Sequence, residues 1–304
     1  MAVKHLEDAT RLLNFAEGSY FERTSRPVYS LIFLLPFITF YELAVVLLNS
    51  TLLRQSNVLV DTFVWLQKLL EFIHIDGKMT WLAPPLVVVV FLVALQLTCG
   101  RKWSVRLGDI IPMNIECILL AVPLIFLSLL INSSAFIPNP KSTNAEQIHC
   151  PIVRCVNQYD DTDRKETPAE DALEESANEV SNLLFTDVVT GIGAGIYEEL
   201  VFRLILISCF MIIFQDLLRF GKLESVIISV VLSALLFSLH HHIDFVSGQV
   251  NSAQPFQLPQ FIFRTLAGVY FAGIFAVRRF GITAGAHAYY NIIAVITNAA
   301  FFGA

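Results

Sequence analysis

Tyr197-Glu198-Glu199, with Arg203 four residues beyond Glu199, sets two adjacent carboxylates and a guanidinium inside an apolar run from Gly191 to Ile207. An ionised group at the centre of a membrane helix costs about 2.5–3.5 kcal/mol on insertion scales, so such groups seldom persist there without a use. Two later apolar segments also carry polar clusters, Phe237-Ser-Leu-His-His241 and His287-Ala-Tyr-Tyr-Asn291. Carboxylate, imidazole and amide are the groups that general-base catalysis and oxyanion stabilisation draw on. Together they read as an active site buried in a membrane.

On a helix, Glu199 and Arg203 share a face and can pair, while Glu198 points about 100° away and lacks that partner. Desolvation moves a carboxylate toward the range useful to a base near neutral pH. Glu198 is therefore the candidate base, and Glu199 with Arg203 reads first as a structural ion pair. Gly191, Gly193 and Gly195 precede them and would let a neighbouring backbone approach closely, or let the helix break. Phe237 and His241 share one helical face; His240 and His242 point elsewhere and default to an interfacial role. His287 and Asn291 share a face as well. They could hold a developing oxyanion, or serve as the polar glue common between membrane helices.

These groups need an apolar scaffold, and the composition supplies one. The chain is 55% hydrophobic and 15% charged with mean hydropathy +0.64, against about 25% charged residues in soluble domains. The expectation is an all-α polytopic transmembrane bundle of about seven spans: 29–49, 80–99, 110–132, 183–214, 224–243, 261–277 and 282–302. Residues 57–75 read as an amphipathic helix at the interface, and would make an eighth span only if they crossed. Residues 1–26 read as an amphipathic juxtamembrane segment, polar enough that no cleavable signal is expected. Three regions follow: an N-terminal membrane region, 1–132; an acidic extramembrane loop, 133–182, rich in Asp and Glu and read as solvated; and a catalytic membrane core, 183–304.

Basic residues set orientation. With seven spans, Arg23 with Arg26, Arg101 with Lys102 and Arg106, Arg219 with Lys222, and Arg278 with Arg279 fall on one side. That side is taken as cytoplasmic, N-terminus included. The basic residues flank spans and form no patch, so nucleic acid is not an expected partner. Of the five cysteines, Cys99, Cys117 and Cys209 read as small buried hydrophobes. Cys150 and Cys155 share the polar loop and could bond in an oxidising compartment.

Glu-Glu-x-x-x-Arg, Phe-x-x-x-His and His-x-x-x-Asn, in that order within apolar segments over about 183–302, resemble the motifs of the CPBP family. These are the CAAX proteases and bacteriocin-processing (Abi) intramembrane proteases. The Phe-Tyr-Glu42-Leu stretch of the first span is also similar to some bacterial members. The resemblance implies that Glu198 activates the hydrolytic water, His241 helps hold it, and His287 and Asn291 stabilise the oxyanion. Glu199, Arg203 and Phe237 would then be supporting residues. One departure is His240, where the position before the motif histidine is usually small.

The resemblance implies a membrane-associated protein or peptide substrate and an integral, multi-pass location in the bilayer, the inner membrane if the chain is bacterial. No cofactor is favoured. Zinc is the alternative, held by Glu198, His241 and His287 with an open position for water; Asn291 is a poor ligand and no His-Glu-x-x-His helix is present. The other readings are a non-enzymatic membrane scaffold or immunity-type protein, and a small proton-coupled transporter, for which inverted repeats would be expected. A catalytic reading also carries a geometric requirement. Uninterrupted helices would set His241 and His287 at depths more than ~10 Å apart, so the backbone must break near one of them, as is allowed where it lines a watery cavity. With an inside N-terminus, Cys150 and Cys155 should react with an impermeant thiol reagent from outside intact cells after reduction. Labelling confined to permeabilised cells would reverse the topology.

Overall fold

The computed structural model describes residues 15–51, 83–132, 169–244, 249–250 and 256–302. The 57–75 segment, Cys150, Cys155 and the first part of the acidic stretch lie outside them. Helices account for nearly all of the described chain. They are α1 (Tyr20–Thr24), α2 (Pro27–Thr51), α3 (Ala83–Cys99), α4 (Ile110–Asn132, entered through a 3-10 turn at Leu107–Asp109), α5 (Ala169–Glu199), α6 (Ile207–Met211), α7 (Lys222–His240) and α8 (Leu258–Phe302). π-Helical stretches at Leu200–Leu206 and Ile212–Leu217 flank α6, so α5, α6 and both stretches form one rod. A two-residue antiparallel pairing, β1 (Ile243–Asp244) with β2 (Gln249–Val250), follows α7.

Five helices are long and apolar enough to cross a membrane: Pro27–Val45, Leu107–Ile131, Ser181–Leu217, Lys222–His240 and Leu258–Ala300, with Pro84–Cys99 apolar but shorter. The chain is an all-α polytopic bundle. Its outer surface displays large apolar side chains such as Leu119 and Phe126, both more than 60% exposed; in a membrane that surface faces lipid tails. α5 begins at Ala169, inside the stretch expected to be an acidic loop, whose Ala- and Glu-rich sequence favours helix.

α8 is two helices in one. At Arg279 the backbone turns to φ 69°, ψ −179°, a left-handed conformation that costs a non-glycine residue of order 1–3 kcal/mol. The break divides α8 into two arms of about 20 residues, each long enough for a crossing. The arms fold back on each other: Phe271 of the first stacks on His287 of the second at 4.4 Å between ring centroids. Neighbouring contacts hold the turn. Arg278 pairs with Glu116 of α4, donates from Nη2 to Thr24 Oγ1 at 2.8 Å and from Nη1 to the Phe21 carbonyl at 3.0 Å, and lies over the Phe21 ring. Gly281 N–H donates to Ser30 Oγ of α2 at 3.0 Å.

The second arm packs against the glycine face of α5. A Cβ on Gly195 would lie 2.5 Å from the backbone nitrogen of Ala288, and one on Gly193 would lie 2.3 Å from the Tyr41 ring. The first is a backbone contact that no side-chain rotation relieves. Gly195→Ala should therefore destabilise the protein by about 1–3 kcal/mol, the usual range for overpacking, read as a lower melting temperature in detergent.

Candidate active site

Four helical segments deliver the polar groups of the core: the C-terminal turn of α5, the π-helical stretch after it, the end of α7 and the second arm of α8. Glu198 and Glu199 are the last residues of α5, and the π-helix opens at Leu200. Single π turns within α-helices recur at functional sites because they re-aim side chains locally.

Glu199 and Arg203 are fully buried, and Arg203 Nε lies 3.1 Å from Glu199 Oε2. Two further groups hold the guanidinium. Nη2 donates to the Gly268 carbonyl of α8 at 3.3 Å, and the plane lies over the Phe237 ring of α7 at 4.3 Å from its centroid. Phe237 acts here as a cation–π partner, while its ring also meets His241 edge-on at 5.5 Å. The other oxygen of Glu199 meets His287 Nδ1 at 2.8 Å. A carboxylate only accepts, so that nitrogen carries the proton and Nε2 is turned inward. Stacking on Phe271 fixes the ring plane.

Glu198 is the carboxylate with a different environment. Its Oε2 lies 3.9 Å from His287 Nε2, and its Oε1 lies 3.8 Å from His240 Nε2. His240, set aside in the sequence as interfacial, is only 3% exposed and faces Glu198. Its Nδ1 contacts the Phe237 carbonyl, so the ring folds back along α7, toward the bundle centre. The signal that could have found it was the end of the helix: α7 stops at His240, and His241 is its C-cap. Helical phase thus ceases to govern the faces of the three histidines. His241 stays in the group, with one donor atom within 4.8 Å of those of Glu198 and His240. His242 packs instead against Phe256 and Phe261, 5.2 and 6.2 Å away.

Asn291 is buried in the α5–α8 interface, where Nδ2 donates to the Gly191 carbonyl at 2.9 Å. An amide nitrogen has two N–H groups, so the second remains for another acceptor. The chemistry available is thus a carboxylate between imidazole nitrogens, with an amide one turn beyond His287. The depth difference expected from straight helices is bridged by the end of α7, the folded-back His240 ring and the hairpin at Arg279.

A metal is tested by the same geometry. Glu198, His240 and His241 offer donor atoms within 4.8 Å of one another, and His240 keeps its other ring nitrogen on a backbone carbonyl as metal-binding histidines do. Zinc bonds of about 2.0–2.1 Å would require modest closure, so the donor chemistry fits. The set differs from Glu198, His241 and His287, the one read from the sequence, in holding His240 where His287 was placed.

Two further contacts, one polar and one aromatic, brace α5 from α2. Tyr197 hydroxyl donates to Glu42 Oε1 at 3.0 Å, and its ring meets Tyr41 edge-on at 5.6 Å. The tyrosine beside the candidate base is thereby held on its far side.

Residues 180–293 match the family model described as Type II CAAX prenyl endopeptidase Rce1-like. The matched region contains all three motifs, in keeping with their resemblance to the CAAX proteases. No curated protein and no solved structure matches the chain.

The buried ion pair sets a stability prediction. Removing one partner of such a pair costs about 3–5 kcal/mol, because the other charge stays buried without it. Glu199→Gln and Arg203→Met should each lower the melting temperature strongly, and the double variant should lose much less than the sum of the two.

Proposed function

We propose that the chain is an intramembrane endopeptidase that hydrolyses a peptide bond in a membrane-associated protein or peptide, with Glu198 activating water. The observation that carries this reading is Glu198 itself: a carboxylate 6% exposed, with His240 and His287 nitrogens 3.8 and 3.9 Å from its two oxygens. A structural carboxylate would be expected to take a close ionic partner, as the adjacent Glu199 does. The match of residues 180–293 to a CAAX endopeptidase family supports the same class of reaction.

In this mechanism the Glu198 carboxylate takes a proton from water as the oxygen attacks the scissile carbonyl carbon. The carbonyl π electrons move to oxygen and give a tetrahedral oxyanion. Asn291 and His287 lie on the α8 face where that charge is to be met. Glu199 holds His287 at Nδ1, which sets Nε2 on the side that faces Glu198. Collapse of the intermediate breaks the C–N bond, and Glu198 returns its proton to the departing amine. His241 sits close enough to Glu198 to share in holding the water. Glu199, Arg203 and Phe237 position these groups and do not themselves react. If zinc is bound, Glu198, His240 and His241 would hold it, and it would supply an activated water.

A scaffold or immunity-type role would use the same cavity for binding, and a transporter would relay protons through it. Both leave proteolysis out, and this separates them from the endopeptidase. Glu198→Ala, at wild-type abundance and with an unchanged melting temperature, should lower cleavage by at least the 10²–10⁴-fold typical of a general base. The check is quantitative terminal-peptide proteomics of host membranes. Precursors should accumulate in the Glu198→Ala strain. Equal termini in the two strains would transfer the weight to the scaffold.

A further inference from the structure

We infer that Arg264 sets the specificity of this site: its guanidinium binds a carboxylate of the substrate close to the bond that is cut. The inference rests on the endopeptidase reading above and adds a substrate feature to it.

Arg264 lies in the first arm of α8, six residues after the helix begins at Leu258. At 1.5 Å per residue it sits about 9 Å along the arm. An arginine so near a helix end would ordinarily snorkel to the headgroups. Here Ile262, Leu266 and Val269 take the exposed side of the arm, while Arg264 is only 6% exposed. It belongs to the opposite stripe, with Ala267, Gly268 and Phe271, all buried. The guanidinium therefore lies within the bundle.

That stripe forms one wall of the site. The Gly268 carbonyl accepts from Arg203 Nη2, and Phe271 stacks on His287. α7 runs antiparallel beside it: a Cβ on Gly268 would lie 3.0 Å from Ala234 Cα, and Ser238 Oγ donates to the Phe261 carbonyl at 2.8 Å. Phe261 is three residues before Arg264, and a helical side chain leans toward the N-terminus of its own helix. Both place the guanidinium toward the end of α7. There it is close enough for its charge to act on the His241 ring. His241 in turn has a donor atom within 4.8 Å of those of Glu198 and His240. One imidazole thus links the cation to the candidate base.

A carboxylate is the group that suits such a cation. A guanidinium presents five N–H donors in a planar fork that matches both carboxylate oxygens, so it can serve a substrate beside its other contacts. The demand arises on the substrate's side. A peptide that carries a carboxylate into an apolar bundle loses its hydration, and a fixed cation offsets that cost. Held there, the peptide has a second point of attachment, which positions the scissile bond at Glu198. An extended peptide advances about 3.3 Å per residue, so the carboxylate lies within about four residues of the cut. A chain terminus and an acidic side chain present the same two oxygens.

The test begins from precursors that accumulate in the Glu198→Ala strain, which identify the cleaved sequence. A peptide spanning the cut is then assayed with wild type in detergent, as the natural acid and in neutral forms. One neutral form is the C-terminal amide; the others replace each nearby Asp or Glu by Asn or Gln. One of these changes should raise KM by about 10–100-fold, the worth of a charged hydrogen-bonded contact. Sensitivity to the amide assigns the terminus, and sensitivity to a side-chain change assigns that residue. Arg264→Gln should raise KM for the natural acid by the same factor with kcat little changed, and should no longer distinguish acid from neutral peptide. Arg264→Lys, which keeps the charge and loses the fork, should fall between. An arginine that only braces the helices would lower the melting temperature and leave the acid-to-neutral ratio intact.

Equal KM for all forms with wild type would overturn the inference, with no variant required, and would leave the endopeptidase standing. An undiminished preference for the acid in Arg264→Gln would overturn it as well, by moving recognition to another group. So would a cut with neither an acidic residue nor a chain terminus within about four residues. If no precursor accumulates in the Glu198→Ala strain, the endopeptidase reading falls and the inference falls with it.

Discussion

An ionised carboxylate cannot stay in an apolar bundle without nearby positive charge, and much of this core follows from how Glu199 meets that demand. Its two oxygens are divided between Arg203, four residues along the same rod, and His287, from the far arm of α8. The guanidinium in turn uses the α8 backbone at Gly268 and the face of Phe237 on α7. One buried charge thus ties α5, α7 and both arms of α8 to a common point. The ion pair alone would be a weak source of net stability, since desolvation of two charges offsets most of their attraction. What it supplies is registry: few other arrangements of these helices satisfy Glu199, Arg203 and His287 together.

A second constraint concerns depth. Side chains that must meet lie near opposite ends of their helices, His240 at the end of α7 and His287 early in the second arm of α8, and straight α-helices would separate them. The structure resolves this with interruptions. α7 stops at His240, α5 passes into a π-helical stretch immediately after Glu199, and α8 reverses at Arg279. Each interruption has a local source of support. The Arg279 backbone strain is offset by the Arg278 contacts to Glu116, Thr24 and Phe21, so the short amphipathic α1 and the fourth helix clamp a turn far along the chain. Glycines then let α5 approach α8 and α2 until backbone meets side chain.

The two adjacent glutamates illustrate how one helix gives neighbouring groups different work. Glu199 points into a shell of ion pair, hydrogen bond and aromatic ring. Glu198, rotated by about 100°, faces imidazole nitrogens of His240 and His287 at nearly 4 Å. This asymmetry was legible in the sequence: the four-residue spacing to Arg203 assigns the pair, and the absence of a cation at that spacing from Glu198 marks it as the freer group. The role of Glu199 toward His287 was not legible, because 88 residues separate them and nothing local in either motif specifies the other. The same holds for Glu42, seen in the sequence as a carboxylate of the first span within a family-like stretch and placed by the fold on Tyr197.

What the sequence determined by itself was whatever depends on local composition and periodicity. Apolar runs near bilayer length dictated a helical membrane bundle, because only satisfied backbone can cross lipid. The three spaced motifs marked which faces carry polar chemistry. Helix extents came within a few residues for α2, α3 and α4, while α5 started earlier than the acidic composition suggested, since acidic residues with alanine favour helix and do not only solvate a loop. Tertiary structure alone decided which histidine meets Glu198. A face argument assumes unbroken helical phase, and phase ends with the helix; at the last residue of α7 the backbone turn and the Phe237 carbonyl orient His240. Tertiary structure also decided that two spans form one reversed helix at Arg279, a left-handed residue that no sequence rule assigns to arginine and that contacts from α1, α2 and α4 hold in place.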